Sequence, residues 1–256
     1  MSRSVEQSVP AQGTDAAFFL DVDGTLLPIA ELPEVVVPSA AVCALLTKLS
    51  ATCGGALALV SGRPLQQIDR MFAPLRFPAA AQHGSERREP GGHVIWSEGH
   101  LPELQAVEPK LRELAESDAR LWLEDKGLAI ALHYRRAPEL GESLRVAVRE
   151  MLVPHRSLRL QAGKRVLEVC SAETGKGKAV ETFMHLTPFG GRRPVYVGDD
   201  LTDESAFEWV NARGGMSVKV GPEPSAAQLR LPDPAAVLRW LATYIEGADR
   251  GEDARS

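Results

Sequence analysis

The chain has 256 residues, 25% of them charged, and a net charge of −5, which are ordinary values for a globular protein of one large domain or two small ones. It contains no dominant basic patch, no apolar signal-peptide core in the first fifteen residues and no apolar run near the roughly 20 residues of a membrane span. These features argue against nucleic-acid and membrane partners and favour the cytoplasm. Cys43, Cys53 and Cys170 form no Cys-x-x-Cys pair, so reduced thiols are expected rather than disulfides or a zinc site.

The chain begins with a polar stretch and continues with alternating apolar strands and amphipathic helices. Residues 1–15 contain few apolar side chains and are predicted to be a flexible N-terminus. The run AAFFL that follows is short and apolar, which predicts a buried strand ending at Asp21. The same criteria predict a helix over 39–51 with Ser39 as its N-cap, a strand over 56–60, and a helix that opens after the turn Ser61-Gly62-Arg63-Pro64.

The middle of the chain has a different order, helix, hairpin, helix, hairpin, which suits a small α+β unit with an antiparallel sheet. Each hairpin is predicted from a turn signal between two short strands. The predicted helices cover 103–117 and 139–152, and the predicted strands cover 121–125, 128–135, 157–161 and 164–170, with turns at Asp125–Gly127 and Ala162–Gly163.

After residue 175 the alternating order returns, with a helix over 177–187, strands over 194–198 and 216–220, a helix over 235–246 and a flexible tail over 247–256. Alternating strands and helices predict an α/β fold with a doubly wound, mostly parallel sheet. The predicted core therefore comprises 16–99 and 172–246, and the smaller α+β domain over 100–171 is inserted into it.

Two acidic motifs follow predicted strands. Asp21 and Asp23 are spaced i, i+2 at a strand end, so their side chains can point to the same side, and Gly24 allows a sharp turn. The second motif, GDDLTDE (198–204), follows the strand over 194–198. A lone D-x-D is often a solvated loop, but carboxylates converging from two parallel strands repel one another unless a cation binds. Their hard oxygen ligands favour Mg²⁺ or Ca²⁺, and Mg²⁺ is the usual partner of phosphates.

Candidate phosphate ligands lie outside the two acidic motifs. Ser61 and Gly62 offer a hydroxyl and backbone N–H groups near a helix N-terminus, and Lys176 adds a positive charge before another helix. The alternative for Ser61 is that it is a plain N-cap, and the alternative for Lys176 is that it is a solvated lysine. The run around Lys176 does not fit a Walker nucleotide-binding loop, because position 170 is Cys rather than Gly and Gly177 follows the lysine.

The predicted strand over 128–135 has two unlike faces. Ile130, Leu132 and Tyr134 form an apolar face, whereas His133 and Arg135 lie with two alanines on the other. A small, polar face suits a sugar, so His133 and Arg135 are candidate substrate contacts. The alternative is a solvated hairpin with chance charges, in which His133 has a structural role.

Four motifs in this order resemble those of the haloacid dehalogenase (HAD) superfamily of phosphohydrolases. They are DVDGT (21–25), SGR (61–63), Lys176 and GDDLTDE (198–204). The insert lies between the second and the third, where that superfamily places its type 2 cap. The resemblance implies a HAD-like, Rossmann-type core with a cap domain over 100–171.

From about residue 17 to 245 the chain more closely resembles trehalose-6-phosphate phosphatases. The patterns that carry this resemblance are DVDGTLLPI, LVSGR, QHGSERR, LEDKGLAIALHYR, KRVLEV and GDDLTDESAF. The resemblance implies that Asp21 is the nucleophile and a Mg²⁺ ligand, and that Asp23 is the general acid/base and binds Mg²⁺ through its backbone oxygen. The other implied roles are phosphate binding by Ser61, Gly62 and Lys176, Mg²⁺ ligation by Asp199 with Asp200 or Asp203 in support, and sugar contacts by Glu124, Lys126 and Glu168.

The implied reaction belongs to trehalose biosynthesis and hydrolyses trehalose 6-phosphate to trehalose and phosphate through an aspartyl-phosphate. We expect a monomer that binds a small sugar phosphate and associates loosely with a separate trehalose-phosphate synthase. One alternative is a phosphatase of the same superfamily for sucrose or mannosyl phosphates. A second is a signalling receiver domain phosphorylated on an aspartate, against which stand Asp23, the insert and the length of the chain. A third is an inactive relative that serves as a binding module.

Overall fold

The structure is a computed structural model and describes residues 15–29, 37–96, 101–127, 129–163, 165–172 and 174–253. These residues form two compact units. The first contains the described residues up to Ile95, Lys176–Asp199 and those from Asp203 onward, and the second contains Trp96–Gly175 and Asp200–Thr202. The predicted boundary at 99–100 lies outside the described residues, and the predicted domain limits stay predictions.

The elements are numbered in chain order. The strands are β1 (Ala16–Leu20), β2 (Leu57–Val60), β3 (Ala79–Ala81), β4 (Glu86–Arg88), β5 (Val94–Trp96), β6 (Trp122–Asp125), β7 (Ala129–His133), β8 (Leu158–Gly163), β9 (Val166–Ser171), β10 (Arg193–Gly198), β11 (Met216–Val220) and β12 (Leu229–Leu231). The helices are α1 (Ala40–Thr52), α2 (Leu65–Phe72), α3 (Leu101–Glu116), α4 (Gly141–Leu152), α5 (Lys176–Met184), α6 (Glu204–Asn211) and α7 (Pro234–Asp253). None of the helices in the described part of the chain has the length and apolar character needed to cross a bilayer.

The first unit is built on a sheet with the strand order β12-β11-β10-β1-β2-β3-β4-β5. The strands from β12 to β3 pair in parallel, and β4 pairs antiparallel with β3. Strands β1, β2 and β11 are buried along their whole length, as parallel strands covered on both faces must be. The predicted doubly wound, mostly parallel sheet is confirmed.

Helix α1 illustrates how the sequence sets the local structure of this unit. Ser39 is its N-cap, as predicted, because the Ser39 hydroxyl accepts a hydrogen bond of 3.3 Å from the backbone N–H of Val42. Its apolar stripe, which includes Val42, Leu46 and Leu49, is buried against the sheet core. Burying a leucine of this kind contributes about 1.5–3 kcal/mol.

The second unit contains a four-stranded antiparallel sheet in the order β6-β7-β9-β8. Apolar side chains of α3 and α4 form one cluster with one face of this sheet, to which Ile130 and Leu132 of β7 contribute. The predicted core face of that strand is therefore confirmed. The turn at Asp125–Gly127 also forms, since Lys126 N–H donates to the Ala129 carbonyl at 2.9 Å and Gly127 has a φ of +79°.

Three predicted boundaries are wrong. The second hairpin does not turn at Ala162–Gly163, because β8 runs to Gly163, which pairs with Val166, and Arg165 takes a positive φ of 65°. Strand β7 ends at His133, so Arg135 lies in an exposed turn rather than on the strand. Helix α7 continues through Asp253, which makes residues 247–253 helical rather than part of a flexible tail. The predicted flexible N-terminus lies, apart from Asp15, outside the described residues.

Candidate active site

Strands β1 and β10 are neighbours in the sheet, and their ends carry the two acidic motifs. From β1 the chain continues to β2 and β3 on one side, whereas β10, β11 and β12 extend the sheet on the other. The strand order therefore reverses between β1 and β10. Ligands of open α/β sheets bind beyond the carboxyl ends of the strands at such a point, and Asp21 and Asp199 directly follow these two strands.

Three carboxylates meet at this edge. Asp21, Asp199 and Asp203 each offer an oxygen atom, and these atoms lie within 4.8 Å of one another. Asp21 and Asp203 are almost fully buried, at 4% and 0% exposure. We call Asp21, Asp199 and Asp203 the acidic cluster. Asp203, predicted as a supporting residue together with Asp200, is thus a direct member, whereas the Asp200 carboxylate accepts a hydrogen bond of 2.7 Å from the N–H of Leu201.

Glycines make room for the acidic cluster. A Cβ on Gly24, which has a φ of +80°, would lie 2.1 Å from Oδ2 of Asp199. A Cβ on Gly198 would lie 2.3 Å from Cγ of Asp203. Neither distance is possible between real atoms, so both positions require glycine for the carboxylates to approach the backbone this closely.

Lys176, the first residue of α5, neutralises part of this charge. Its ammonium group donates to Oδ1 of Asp21 at 2.8 Å and to Oδ1 of Asp203 at 2.6 Å. Burial alone would lower the pKa of Lys176, but the carboxylates of Asp203 and Asp21 outweigh it and raise that pKa above its ordinary value. Lys176 is therefore a permanent buried cation, and the alternative of a solvated lysine is wrong.

The pKa of Asp21 shifts in the other direction from that of most ion-paired carboxyl groups. Burial raises it well above the ordinary value, Lys176 opposes this shift, and the negative charges of Asp203 and Asp199 add to it. Desolvation makes a carboxylate more basic and more reactive, so the shift suits a nucleophile. It also means that the ionised form needs more positive charge than Lys176 alone supplies.

Asp23 does not join the acidic cluster with its side chain. Its two carboxylate oxygens accept hydrogen bonds from Nε and Nη2 of Arg63, both at 2.6 Å. The Arg63 side chain is 8% exposed and that of Asp23 is 36% exposed, so the carboxylate is the more accessible partner. The bidentate hydrogen bond to Asp23 raises the pKa of Arg63. Sequence reasoning missed this pairing, although Arg63 belongs to the SGR motif.

The loop that carries Ser61 and Gly62 is held by a residue that the sequence analysis did not select. The buried Ser61 hydroxyl accepts a hydrogen bond of 3.2 Å from the N–H of Arg63. Ser61 is not the N-cap of α2, because that helix begins at Leu65, whose N–H donates to the buried carboxylate of Glu86 at 2.7 Å. Glu86 thus satisfies a free N–H group at the helix start and fixes the end of the loop.

A second buried lysine supports the acidic cluster from β11. Lys219 is 2% exposed, and its ammonium group donates to the backbone carbonyl of Asp199 at 2.6 Å, to that of Val220 at 2.5 Å and to the carboxylate of Glu223 at 3.1 Å. All three ammonium protons are therefore accounted for. A lysine inside the apolar strand MSVKV was the sequence signal that could have identified it.

In the second unit, the candidate sugar contacts share the sheet face opposite α3 and α4. Strand pairing aligns Glu124 with Ala131, Ala131 with Glu168, and Glu168 with Gln161, which makes one row across all four strands. The Lys126 ammonium group donates to Glu168 at 2.9 Å. Nε2 of His133 lies 2.8 Å from Oε2 of Glu124, so the two candidates contact each other.

Other residues of this face were missed by sequence reasoning. The His133 ring stacks on Trp122 with centroids 4.5 Å apart. Gln161 is buried and accepts a hydrogen bond of 2.5 Å from Arg159. The row depends on the pairing of strands whose residues lie up to 44 positions apart, from Glu124 to Glu168, which the alternation of residues within one strand does not reveal. Arg135 is not part of this arrangement, because it follows the end of β7.

The donor set of the acidic cluster fits a hard divalent cation. Its three carboxylates carry three negative charges, and Lys176 supplies one positive charge, which leaves a formal charge of −2. Its available donors are all oxygen atoms, which Mg²⁺ and Ca²⁺ prefer over softer metals. The described cysteines are unpaired and lie outside this cluster, with Cys53 and Cys170 buried and Cys43 half-buried.

Comparisons with known proteins identify the family of this chain. The family model described as Trehalose-phosphatase matches residues 19–235. A probable trehalose-phosphate phosphatase of Sinorhizobium fredii is 40% identical over 232 residues, which is 87% of this chain and 85% of the relative. The trehalose-6-phosphate phosphatase of Escherichia coli K12 is 40% identical over 236 residues, which is 91% of this chain and 87% of the relative.

A solved structure shares the fold. The C-terminal domain of the Candida albicans trehalose-6-phosphate phosphatase superposes with a TM-score of 0.78 over 91% of this chain and 93% of that chain, at 23% sequence identity. The matched residues 19–235 include the last two residues of β1, the insert and β10, and therefore both acidic motifs. This chain accordingly belongs to the trehalose-phosphatase family, as its motifs predicted.

Proposed function

We propose that this protein hydrolyses trehalose 6-phosphate to trehalose and inorganic phosphate, with Asp21 as the nucleophile. The observation that carries the proposal is the buried contact between Asp21 and Lys176 at the carboxyl edge of the parallel sheet, beside Asp199 and Asp203. A desolvated carboxylate next to a fixed cation can attack a phosphate ester and hold the charge that develops. Family membership gives the substrate class.

Mg²⁺ is the cofactor of the proposed reaction. Asp21, Asp199 and Asp203 would hold it through carboxylate oxygens, with the backbone oxygen of Asp23 as a further ligand. When bound, Mg²⁺ neutralises the phosphoryl oxygens and the remaining negative charge of the cluster. Asp200 stays a candidate for a contact through water.

The reaction has two steps. In the first, an Asp21 oxygen attacks phosphorus, the bond from phosphorus to the sugar oxygen breaks, and Asp23 gives its proton to that oxygen. In the second, water attacks the phosphorus of the aspartyl-phosphate, Asp23 takes the proton, and the bond to Asp21 breaks. Lys176, the Ser61 hydroxyl and the N–H of Gly62 stabilise the phosphoryl oxygens in both steps. One general acid/base of this kind is typically worth about 10²–10⁴-fold in rate.

Arg63 adds a requirement to the first step. Both oxygens of Asp23 accept hydrogen bonds from the Arg63 guanidinium, so both are engaged at the positions where the proton for the sugar oxygen would be carried. Arg63 must release at least one of these oxygens before Asp23 can act as an acid. The substrate phosphate is the natural competitor, because a guanidinium binds phosphate in the same bidentate way.

Glu124, Lys126, His133 and Glu168 are the proposed contacts of the trehalose hydroxyl groups, and Arg135 is a weaker candidate. Carboxylates accept hydrogen bonds and an ammonium group donates them. The pairs Lys126–Glu168 and His133–Glu124 therefore offer both hydrogen bond donors and acceptors to a sugar. Glu168 is 6% exposed, so any hydroxyl that binds it enters a desolvated environment. A cytoplasmic monomer that associates loosely with a separate trehalose-phosphate synthase remains part of the proposal.

A panel of sugar phosphates tests this function. Purified protein is incubated with trehalose 6-phosphate, sucrose 6-phosphate, a mannosyl phosphate and glucose 6-phosphate, with Mg²⁺ or with a chelator, and phosphate release is measured. We expect the highest kcat/KM for trehalose 6-phosphate, and little release without Mg²⁺. A preference for sucrose or mannosyl phosphate would overturn the assigned substrate while leaving the chemistry intact.

A further inference from the structure

Tyr196 is a buried polar residue that the proposed mechanism does not use. It lies in β10, is 0% exposed, and its hydroxyl group donates a hydrogen bond of 2.7 Å to Oδ1 of Asp203. Tyrosine in the centre of a parallel sheet could serve packing alone. Its hydroxyl group, however, meets a member of the acidic cluster.

Its place in the strand explains how the hydroxyl group reaches Asp203. Residues two apart in a strand project to the same side, and a Cβ on Gly198 would lie 2.3 Å from Cγ of Asp203. The Tyr196 ring therefore lies on the side of β10 that borders the Asp203 carboxylate. Phe207 of α6 holds the ring edge-on, with centroids 5.6 Å apart, so a strand and a helix together fix the position of the hydroxyl group.

One oxygen of Asp203 accepts two of the hydrogen bonds at this site. Oδ1 takes the Tyr196 hydroxyl at 2.7 Å and the Lys176 ammonium group at 2.6 Å. Lys176 uses a second proton to bind Asp21 at 2.8 Å. Tyr196, Asp203, Lys176 and Asp21 thus form a continuous chain of hydrogen bonds in which every member is almost fully buried.

We propose that Tyr196 is a positioning residue, which holds the Asp203 carboxylate and thereby keeps Lys176 against Asp21. The inference rests on the proposed function, in which Asp21 is the nucleophile. Without the hydroxyl group, the Asp203 carboxylate, which is 0% exposed, loses one of its hydrogen bond donors. The carboxylate then rotates towards other donors, and Lys176 follows Asp203 rather than Asp21.

The test compares two tyrosine-to-phenylalanine variants. Tyr196→Phe removes only the hydroxyl group. Tyr244→Phe is the matched control, because Tyr244 is also 0% exposed in the first unit but packs on Phe18, with centroids 4.8 Å apart, rather than on the acidic cluster. We expect Tyr196→Phe to lower kcat by roughly 5- to 50-fold, as expected for the loss of a buried hydrogen bond partner, with KM within about twofold of the parent value. We expect Tyr244→Phe to leave both parameters within about twofold of the parent.

The outcomes separate the inference from the proposed function. An active parent enzyme whose Tyr196→Phe variant keeps its full kcat contradicts the positioning role and leaves the function standing. A parent enzyme that releases no phosphate from any sugar phosphate contradicts the function itself. A Tyr196→Phe variant in which kcat falls and KM rises by similar factors would indicate general damage to the site. This result also contradicts the positioning role.

A spectroscopic measurement on the parent protein covers the case in which Tyr196→Phe fails to fold. The chain has three tyrosines, so labelling their ζ-carbons gives three NMR signals, and the Tyr134→Phe and Tyr244→Phe variants assign the third to Tyr196. We expect the Tyr196 signal alone to shift when Mg²⁺ is added, because its hydrogen bond partner lies in the acidic cluster. An unchanged Tyr196 signal at saturating Mg²⁺ would contradict the proposal.

Discussion

Replacing Lys176 by methionine tests the electrostatic organisation of the site. Methionine has a similar length but no charge, so the variant leaves Asp21 and Asp203 without the cation that they contact at 2.8 and 2.6 Å. The side chains of Lys176, Asp21 and Asp203 are 4%, 6% and 0% exposed, so solvent hardly screens their charges. Breaking a buried ion pair by removing one partner typically costs about 3–5 kcal/mol.

The expected loss is large enough to measure easily. For a chain of this size each kcal/mol shifts Tm by about 2–4 °C, so a loss of 3–5 kcal/mol corresponds to a decrease of about 6–20 °C. The formal charge of the acidic cluster with its lysine also changes, from −2 to −3. We therefore expect Mg²⁺ to stabilise Lys176→Met more than it stabilises the parent protein, because its binding now removes a larger repulsion.

Lys178→Met is the matched control, since Lys178 lies on the same helix but is 58% exposed and pairs with Glu181 at the surface. Exposed ion pairs contribute about 0–1 kcal/mol. The assay is urea unfolding of the three proteins in a chelator and in Mg²⁺, followed by the measurement of kcat, which should fall by about 10²–10³-fold in Lys176→Met alone. If Lys176→Met were as stable in the chelator as Lys178→Met, the assignment of Lys176 as the buried counter-ion of Asp21 would be refuted.

Three further predictions concern the acidic cluster and the second unit. Gly24→Ala should raise the Mg²⁺ concentration needed for half-maximal activity, because the added Cβ would displace the Asp199 carboxylate. Gly214→Ala is the control and should change stability only, because Gly214 has a similar positive φ of 67° but no atom lies within 4 Å of the added Cβ. Burial raises the pKa of Asp21 in the folded state above the ordinary value of 3.8. Protonation of Asp21 therefore stabilises the metal-free protein fully at pH values below 3.8, and this stabilisation is lost as the pH rises through the raised pKa. The free energy of unfolding of the metal-free parent should therefore fall relative to that of Asp21→Asn between about pH 4 and neutrality, and a constant difference would contradict the shift. Glu168→Gln should raise KM for trehalose 6-phosphate by about tenfold or more without affecting hydrolysis of p-nitrophenyl phosphate, and equal effects on both substrates would exclude a sugar contact.

The parts of the fold that could be predicted are those set by local pattern. Asp21 ends an apolar run, Asp199 ends another, and alternating strands and helices predict that such strands are parallel. The order of these motifs was sufficient to predict the edge of the sheet where the carboxylates meet. Helix α6 was missed, and so were the three-residue strands β3, β4, β5 and β12, which are too short for a periodicity to be visible.

The parts that could not be predicted depend on contacts between distant residues. Arg63 lies 40 residues from Asp23, Glu86 lies 21 residues from Leu65, and their pairing follows from the packing of β2, β3 and β4. Local signals predict neither the direction of a side chain nor its partner. Lys176 and Ser61 were selected from the sequence as phosphate ligands, but the ion pairs of Lys176 with two aspartates required the three-dimensional arrangement.

Trapping the intermediate tests the role of Asp21 most directly. Asp23→Asn protein is mixed with trehalose 6-phosphate labelled at phosphorus and Mg²⁺, quenched in acid within the first turnover and digested, and the labelled peptide is identified by mass spectrometry. We predict that the label is bound to the peptide that contains Asp21, and that Asp21→Asn protein acquires no label and has essentially no turnover. Label on a different peptide, or substantial phosphate release by Asp21→Asn, would contradict the assignment of Asp21 as the nucleophile.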